Sequence, residues 1–155
     1  MALSVGDAAP DFDLPTDGGG RLSLGDLAGK WAIVYFYPRD NTSGCTKEAC
    51  GFRDHYERLR SANAEVVGVS ADSVQSHDRF KAKHELPFPL VSDPDKEMLA
   101  AWGAWGEKKN YGRTYMGIIR STYIVDPEGR IAAAWPRVRV KGHVDAVLDR
   151  LEQLR

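Results

Sequence analysis

Apolar positions along the chain fall into two patterns, continuous runs and helical stripes, and these predict its elements. Trp31-Ala-Ile-Val-Tyr-Phe-Tyr37 is apolar throughout and rich in β-branched and aromatic side chains, the composition of a strand covered on both faces in a parallel sheet. Pro38 ends that run. Beyond it, Ala49, Phe52, Tyr56 and Leu59 follow Cys45 at offsets of four, seven, eleven and fourteen, which places all five on one stripe of a helix from Ser43 to about Leu59. Val66-Val-Gly-Val-Ser70 predicts a second buried strand, and Asp72 with Gln75 stands in capping-box spacing before a mixed polar helix through Phe80. Pro89-Leu90-Val91 is a short extended piece. Asp93-Pro94 supplies an N-cap and a proline at the first helical position, ahead of Met98, Leu99 and Trp102 on one face, with the helix ending near Gly103. Ile118 to Val125 and Ile131 to Trp135 flank Asp126-Pro-Glu-Gly129, a tight-turn signal between extended runs, and predict an antiparallel hairpin. Val144, Val147, Leu148, Leu151 and Leu154 give a closing amphipathic helix.

The remaining stretches read as turns. Pro10, Pro15 and Gly18-Gly19-Gly20 interrupt two short alternating pieces in the first thirty residues, which suits a small hairpin. Gly106 to Arg113, with Lys108-Lys109-Asn110, is polar and without period, and predicts an exposed loop. Strand, helix, strand, helix, hairpin and last helix are the order of a thioredoxin-like three-layer α/β/α fold, with a central mixed β-sheet and an N-terminal β-hairpin. The 155 residues suffice for one such domain, spanning 1–155, and no internal repeat or linker divides them. Ligands of these sheets collect beyond the carboxyl ends of the strands, where Cys45 follows the first buried strand.

Charge narrows the function. With 21 Lys+Arg against 22 Asp+Glu the net charge is -1, so no overall basic field favours nucleic acid or an anionic membrane surface. The longest apolar run is seven residues, far short of the roughly 18 that a membrane-spanning helix needs. Met-Ala-Leu-Ser-Val-Gly-Asp has neither the basic flank nor the apolar stretch of a leader, which makes the cytoplasm the expected address. Only two cysteines occur, Cys45 and Cys50. They are too few for a disulfide scaffold and are the place to look for chemistry.

A helix beginning near Thr42 or Ser43 puts Cys45 in its first turn, where free N–H groups and the positive end of the dipole favour a thiolate over a thiol. The plainer reading is a buried, inert cysteine on the apolar stripe. Its neighbours decide between the two. Pro38, Thr42 and Cys45 stand in the spacing P-x-x-x-T-x-x-C within Tyr37-Pro-Arg-Asp-Asn-Thr-Ser-Gly-Cys-Thr-Lys-Glu-Ala-Cys50. The segment resembles the peroxiredoxins. The C-x-x-x-x-C pair, Thr46, Glu48 and the later Gly117-Ile-Ile-Arg-Ser-Thr122 make it similar to the subgroup called bacterioferritin comigratory protein or PrxQ, over nearly the whole chain.

The resemblance implies a thiol peroxidase acting on hydrogen peroxide and organic hydroperoxides. Cys45 would be the attacking thiolate, Pro38 a shield that shapes the pocket, Thr42 a hydroxyl holding thiolate and peroxide, and Arg120 the positive charge. The physical sense is that donors aimed at the peroxide oxygens lower the barrier as negative charge grows on the leaving oxygen. Gly44 is a supporting candidate in the same turn. Glu48 either pairs with Arg120 or is a solvated helix residue. A sulfenic acid at Cys45 can condense with a thiol, and Cys50 is the other cysteine of the chain. Five residues of intact helix separate two Cα atoms by ~8.7 Å, beyond the ~7 Å a disulfide tolerates, so the helix must open locally between attack and resolution. The resemblance also implies thioredoxin or a similar dithiol as reductant, no cofactor or metal, and a monomer.

Other readings use the same residues. A thiol-disulfide oxidoreductase usually carries the shorter C-x-x-C, and a redox sensor would oxidise Cys45 without turnover. A zinc site built from Cys45, Cys50, His55 and possibly His77 has irregular spacing. His55, His77, His84 and His143 are scattered without an evident acid–base partner, and read as solvated or packing side chains. Arg137, Arg139 and Lys141 alternate with valines as on a solvated edge strand. Trp102, Trp105 and Trp135 read as core packing.

Overall fold

A computed structural model describes residues 2–155. The elements run β1 (Asp13–Pro15), β2 (Arg21–Ser23), β3 (Trp31–Phe36), α1 (Ser43–Asp54), α2 (Tyr56–Ser61), β4 (Ala64–Ser70), α3 (Val74–His84), β5 (Leu90–Ser92), α4 (Glu97–Ala101), β6 (Trp105–Asn110), β7 (Arg113–Ile118), β8 (Ser121–Val125), β9 (Ile131–Trp135) and α5 (His143–Leu154). The five-stranded sheet has the order β5-β4-β3-β8-β9. β3 is parallel to β4, and β4 to β5, whereas β3–β8 and β8–β9 are antiparallel. This is the thioredoxin-like arrangement with a mixed sheet, and β1 pairs with β2 as the N-terminal hairpin.

The continuous apolar run of β3 follows from its central place. Ile33 and Tyr35, with Tyr37 just beyond, pack into one cluster with Ala49 and Phe52 of α1, Leu59 of α2, Phe80 of α3 and Val147 and Leu151 of α5. Ala32, Val34 and Phe36 face the opposite cluster, with Phe12, Leu27, Met98, Leu99 and Trp102. Burying a large aliphatic or aromatic side chain contributes about 1.5–3 kcal/mol, so both faces hold the strand and fix its register. Trp102 is wholly buried, and Trp105 and Trp135 pack partly buried against the two clusters.

Several expectations change in detail. The helix after Pro38 breaks at His55, whose ψ of 10° separates α1 from α2. Ser73, not Asp72, caps α3 by accepting the Ser76 N–H. Helix α4 begins only at Glu97, but Asp93 still caps it, taking the N–H groups of Glu97 and Leu99. Gly106 to Arg113 is not a loop: it belongs to a two-stranded hairpin, β6–β7, which turns at Tyr111 and Gly112, both at positive φ as a two-residue hairpin turn requires. The hairpin claims Ile118 as its last residue, so the run from Ile118 to Val125 is split, with Ile119 and Arg120 at the joint. Residues 136–142 form no edge strand. They cross the sheet end as an irregular strap, in which Val138 N–H donates to the Arg120 carbonyl at 2.9 Å.

Candidate active site

Helix α1 starts just past the carboxyl end of β3. Its first intrahelical bond is from Thr46 N–H to the Thr42 carbonyl, 2.8 Å, so the N–H groups of Ser43, Gly44 and Cys45 lie in the first turn without an i−4 partner. Cys45 is buried there and Cys50, one and a half turns on, is half-buried; both are free thiols. The helix is continuous through both.

Arg120 reaches this turn from the joint between β7 and β8. One guanidinium nitrogen, Nη2, lies 3.3 Å from Cys45 Sγ and the other, Nη1, donates to Glu48 Oε1 at 2.8 Å. Arg120 is therefore clamped between two acids of one helix face, three residues apart. Burial works against its charge, but Glu48 and Cys45 outweigh burial and hold it a cation. Gly44 makes room for it: a Cβ there would stand 3.3 Å from Nη2 and 3.6 Å from Val140 of the strap. Lys108, on β6, bonds the Ile118 carbonyl through Nζ at 2.8 Å. Burial and Arg120 both push its pKa down, while Cys45 pulls it up, so a second cation sits within reach of the thiol's field.

Glu48 is the unusual member. Its side chain is wholly buried, and burial pushes its carboxyl up to about 7, with Arg120 pulling the other way. Oε2 has no hydrogen-bond partner. It faces His143 Nε2 at 3.9 Å, and His143 is bonded at the same nitrogen to Thr122 Oγ1 at 2.8 Å. Burial, helped by Arg120, pushes His143 down to about 4, so near neutrality this contact is not an ion pair. His143 also stands edge-on to Trp135.

The other expected residues divide. Pro38 follows β3 and is half-buried. Thr42 is exposed at the N-cap position, yet its hydroxyl neither caps the helix nor bonds Sγ, because the carbonyl of Arg39, three residues back, takes its proton at 2.9 Å. The histidines are not uniformly bland. His77 is fully buried with Nδ1 2.7 Å from Asp40 Oδ2 and Nε2 2.9 Å from the Val91 carbonyl. It gathers with Asp40 and Asp72 rather than with the cysteines, which leaves the zinc reading without its ligand set. Asp40 is unmarked in the sequence, and His143 reads there as a solvated or packing side chain, because His77 on one side and Glu48 and Thr122 on the other arrive from distant elements. The one available signal is an acid two residues after Pro38.

Residues 5–134 match the AhpC/TSA family. A "Putative peroxiredoxin bcp" of Coxiella burnetii is 52% identical over 151 residues, covering 97% of this chain and all of that protein. "Peroxiredoxin Bcp" of Bacillus subtilis is 45% identical over 154 residues, 99% of this chain and 98% of its own. Among solved structures, a cysteine-to-serine mutant of Xanthomonas campestris Peroxiredoxin Q superposes with a TM-score of 0.91 at 43% identity, covering 99% of this chain and 98% of that one. A Bacterioferritin Comigratory Protein from the same organism, described with its alkyl peroxide reduction activity and trapped intermediates, gives 0.89 at 43% identity, over 97% and 96% of the two chains.

Proposed function

Because the chain belongs to the AhpC/TSA family, in its Bcp/PrxQ peroxiredoxin subgroup, it is a thiol-dependent peroxidase, and we propose that Cys45 and Cys50 carry the cycle. The observation that supports this most directly is the guanidinium nitrogen of Arg120 3.3 Å from Cys45 Sγ, at a helix N-terminus that also favours the thiolate. The thiolate sulfur attacks one oxygen of the peroxide as the O–O bond breaks. The leaving oxygen takes a proton and departs as water or an alcohol, and Cys45 is left as a sulfenic acid. The Cys50 thiol then displaces water from that sulfenic acid, and an external dithiol returns both cysteines to thiols while becoming a disulfide itself.

Arg120 and the free N–H groups stabilise charge on sulfur and on the leaving oxygen. Glu48 holds the guanidinium at the sulfur. Pro38 and Thr42 wall the peroxide pocket, and Gly44 leaves the space the guanidinium occupies. Hydrogen peroxide and small organic hydroperoxides are the substrates, and thioredoxin or a similar dithiol protein is the reductant. Resolution within one chain needs no second subunit, which favours a monomer, and dependence on a dithiol suits a reducing compartment such as the cytoplasm. Among the described residues no helix is long and apolar enough to cross a membrane.

Intact mass and thiol count after one equivalent of hydrogen peroxide test the cycle. Wild type loses two hydrogens and both thiols, whereas Cys50→Ser gains one oxygen. Two unchanged thiols in wild type at that dose would remove the peroxidase reading.

A further inference from the structure

Behind the loop that leads into α1 lies a buried polar cluster that the peroxidase chemistry does not use. Asp40 sits in that loop and is buried. Its Oδ1 accepts the Tyr37 hydroxyl at 2.6 Å, and its Oδ2 accepts the Ser76 hydroxyl at 2.8 Å and faces His77 Nδ1 at 2.7 Å. The Asp40 N–H donates to Asp72 Oδ2 at 2.7 Å, and Asp72 is steadied by the Ser70 hydroxyl. His77 Nε2 meets the Val91 carbonyl of β5 at 2.9 Å. Both ring nitrogens thus face acceptors, a carboxylate and a carbonyl, and both must donate, which an imidazole does only when protonated. A wholly buried cation is ordinarily costly, but here both ring nitrogens have an acceptor and the facing carboxylate takes three hydrogen bonds.

We infer that His77, held as an imidazolium between Asp40 and the Val91 carbonyl, is a positioning residue for the peroxidatic site. It ties the Pro38–Thr42 loop to α3 and β5 and keeps it in place while α1 opens. The inference rests on the peroxidase reading of Cys45. The tie acts on the right residues: Asp40 lies between Pro38 and Thr42, and Asn41 beside it holds a left-handed φ of 63° with its side-chain oxygen on Lys83 Nζ of α3, 3.1 Å. The loop is thus fastened to α3 at two consecutive positions, immediately ahead of the first-turn N–H groups of α1 that lack an i−4 partner. Cys45 through Cys50 must unwind for the disulfide, and the fastening marks where that unwinding stops.

The arrangement carries a pH signature. Burial pulls the His77 pKa down, but the bond and charge of Asp40, the Val91 carbonyl and Asp72 outweigh it and leave it above the ordinary value. The groups around it are Asp40 from the loop, Tyr37 from the end of β3, Asp72 from the β4–α3 connection, Ser76 on α3 and the Val91 carbonyl on β5; Arg79 and Lys83 of α3 line the adjoining cavity with Asp40. Tyr37 is driven well above its ordinary range by burial, Tyr35 and Asp40, and stays a neutral donor. A base with a raised pKa holds its proton fully below the unfolded value and loses it as pH climbs through the folded one. The tie therefore persists to higher pH than a histidine of ordinary pKa would allow, and is lost as pH climbs further.

Stopped-flow tryptophan fluorescence of Cys45 oxidation by hydrogen peroxide, from pH 6 to 10, tests this on wild type, His77→Gln and the His77→Gln/Asp40→Asn pair. His77→Gln lowers the second-order rate constant about tenfold near neutrality, and the ratio of wild type to variant shrinks toward one as His77 deprotonates. The double variant, a neutral amide pair that still hydrogen-bonds, recovers most of the loss and shows no pH-dependent ratio of its own. Hydrogen exchange of the oxidised wild type leaves residues 38–42 protected while 43–52 open, and in His77→Gln the opening spreads into 38–42. A folded His77→Gln with wild-type rates at every pH, or a loss that does not vary with pH, overturns the inference. Should His77→Gln not fold, Tyr37→Phe, which removes one donor to Asp40, is read the same way: about a threefold loss supports the inference, and unchanged rates sink it. Alkylation of Cys45 by iodoacetamide separates this inference from the peroxidase reading. It needs the thiolate but no peroxide, and is slowed in His77→Gln even if wild type fails to consume peroxide.

Discussion

Glu48 shows how one buried side chain sets both a rate and a stability. Its carboxyl titrates near 7 inside the protein against about 4.5 outside, so between those values the folded chain binds a proton that the unfolded chain does not, and stability falls as pH rises. The difference corresponds to about 3 kcal/mol once pH is above the folded pKa. Denaturant titrations should therefore show wild type losing stability relative to Glu48→Gln from about pH 4.5 to 7, with no further change above. The same variant no longer holds Arg120 by an ion pair, and its oxidation rate constant should drop about tenfold. A parallel pH dependence in the two proteins would show Glu48 to be solvated. Residue-level chemistry was legible where it lay within one motif. Cys45 in the first turn follows from spacing along one helix, whereas Arg120 comes only with the peroxiredoxin resemblance and Glu48 stays open in the sequence between pairing with Arg120 and solvation. His77 was passed over because its partner Asp40 is 37 residues away, and only the parallel pairing of β3 with β4 brings α3 over the loop.

Elements that bury an apolar face are legible in kind, although the helix after Pro38 breaks at His55 and the run from Ile118 is split; the hairpin exposed along most of its length is not legible. β3, β4, β8 and α5 carry periods that the core imposes. The β6–β7 hairpin is exposed along most of its length, with Tyr111, Tyr115 and Met116 open to solvent, so no inward face writes an alternation into Gly106 to Arg113. For α1, the informative position is Gly51, where a Cβ would lie 2.9 Å from Val144 Cγ2 on α5. Gly51→Ala gains helix propensity of about 1 kcal/mol but overpacks the α1–α5 contact at a cost of about 1–3 kcal/mol. Amides of α1 in the reduced variant should exchange faster than in wild type, and the Cys45–Cys50 disulfide should form faster once Cys45 is oxidised. Unchanged exchange would mean that α1 is not held by this contact.

At the scale of the molecule, the cycle asks one part to leave a fixed remainder. The sheet and its α4 side have no role in resolution, whereas Cys45, Ala49 and Phe52 of α1 are wholly or almost wholly buried in the cluster beneath α5. Opening α1 takes such side chains out of the core, at about 1.5–3 kcal/mol for one the size of Phe52. The disulfide form should accordingly melt several degrees below the reduced form, about 2–4 °C per kcal/mol for a chain of this size. An equal or higher Tm together with α1 amides still protected after oxidation would show that α1 stays docked, since the cross-link alone also stabilises by restricting the unfolded chain. Glu48 travels with that helix. Inside, burial keeps part of its carboxyl population protonated near pH 7; in water it is ionised. Each turn of the redox cycle should therefore shed part of a proton equivalent to the buffer on disulfide formation and regain it on reduction, beyond what the sulfur chemistry requires. Calorimetry of oxidation in buffers of different ionisation enthalpy would read it, and Glu48→Gln would abolish it.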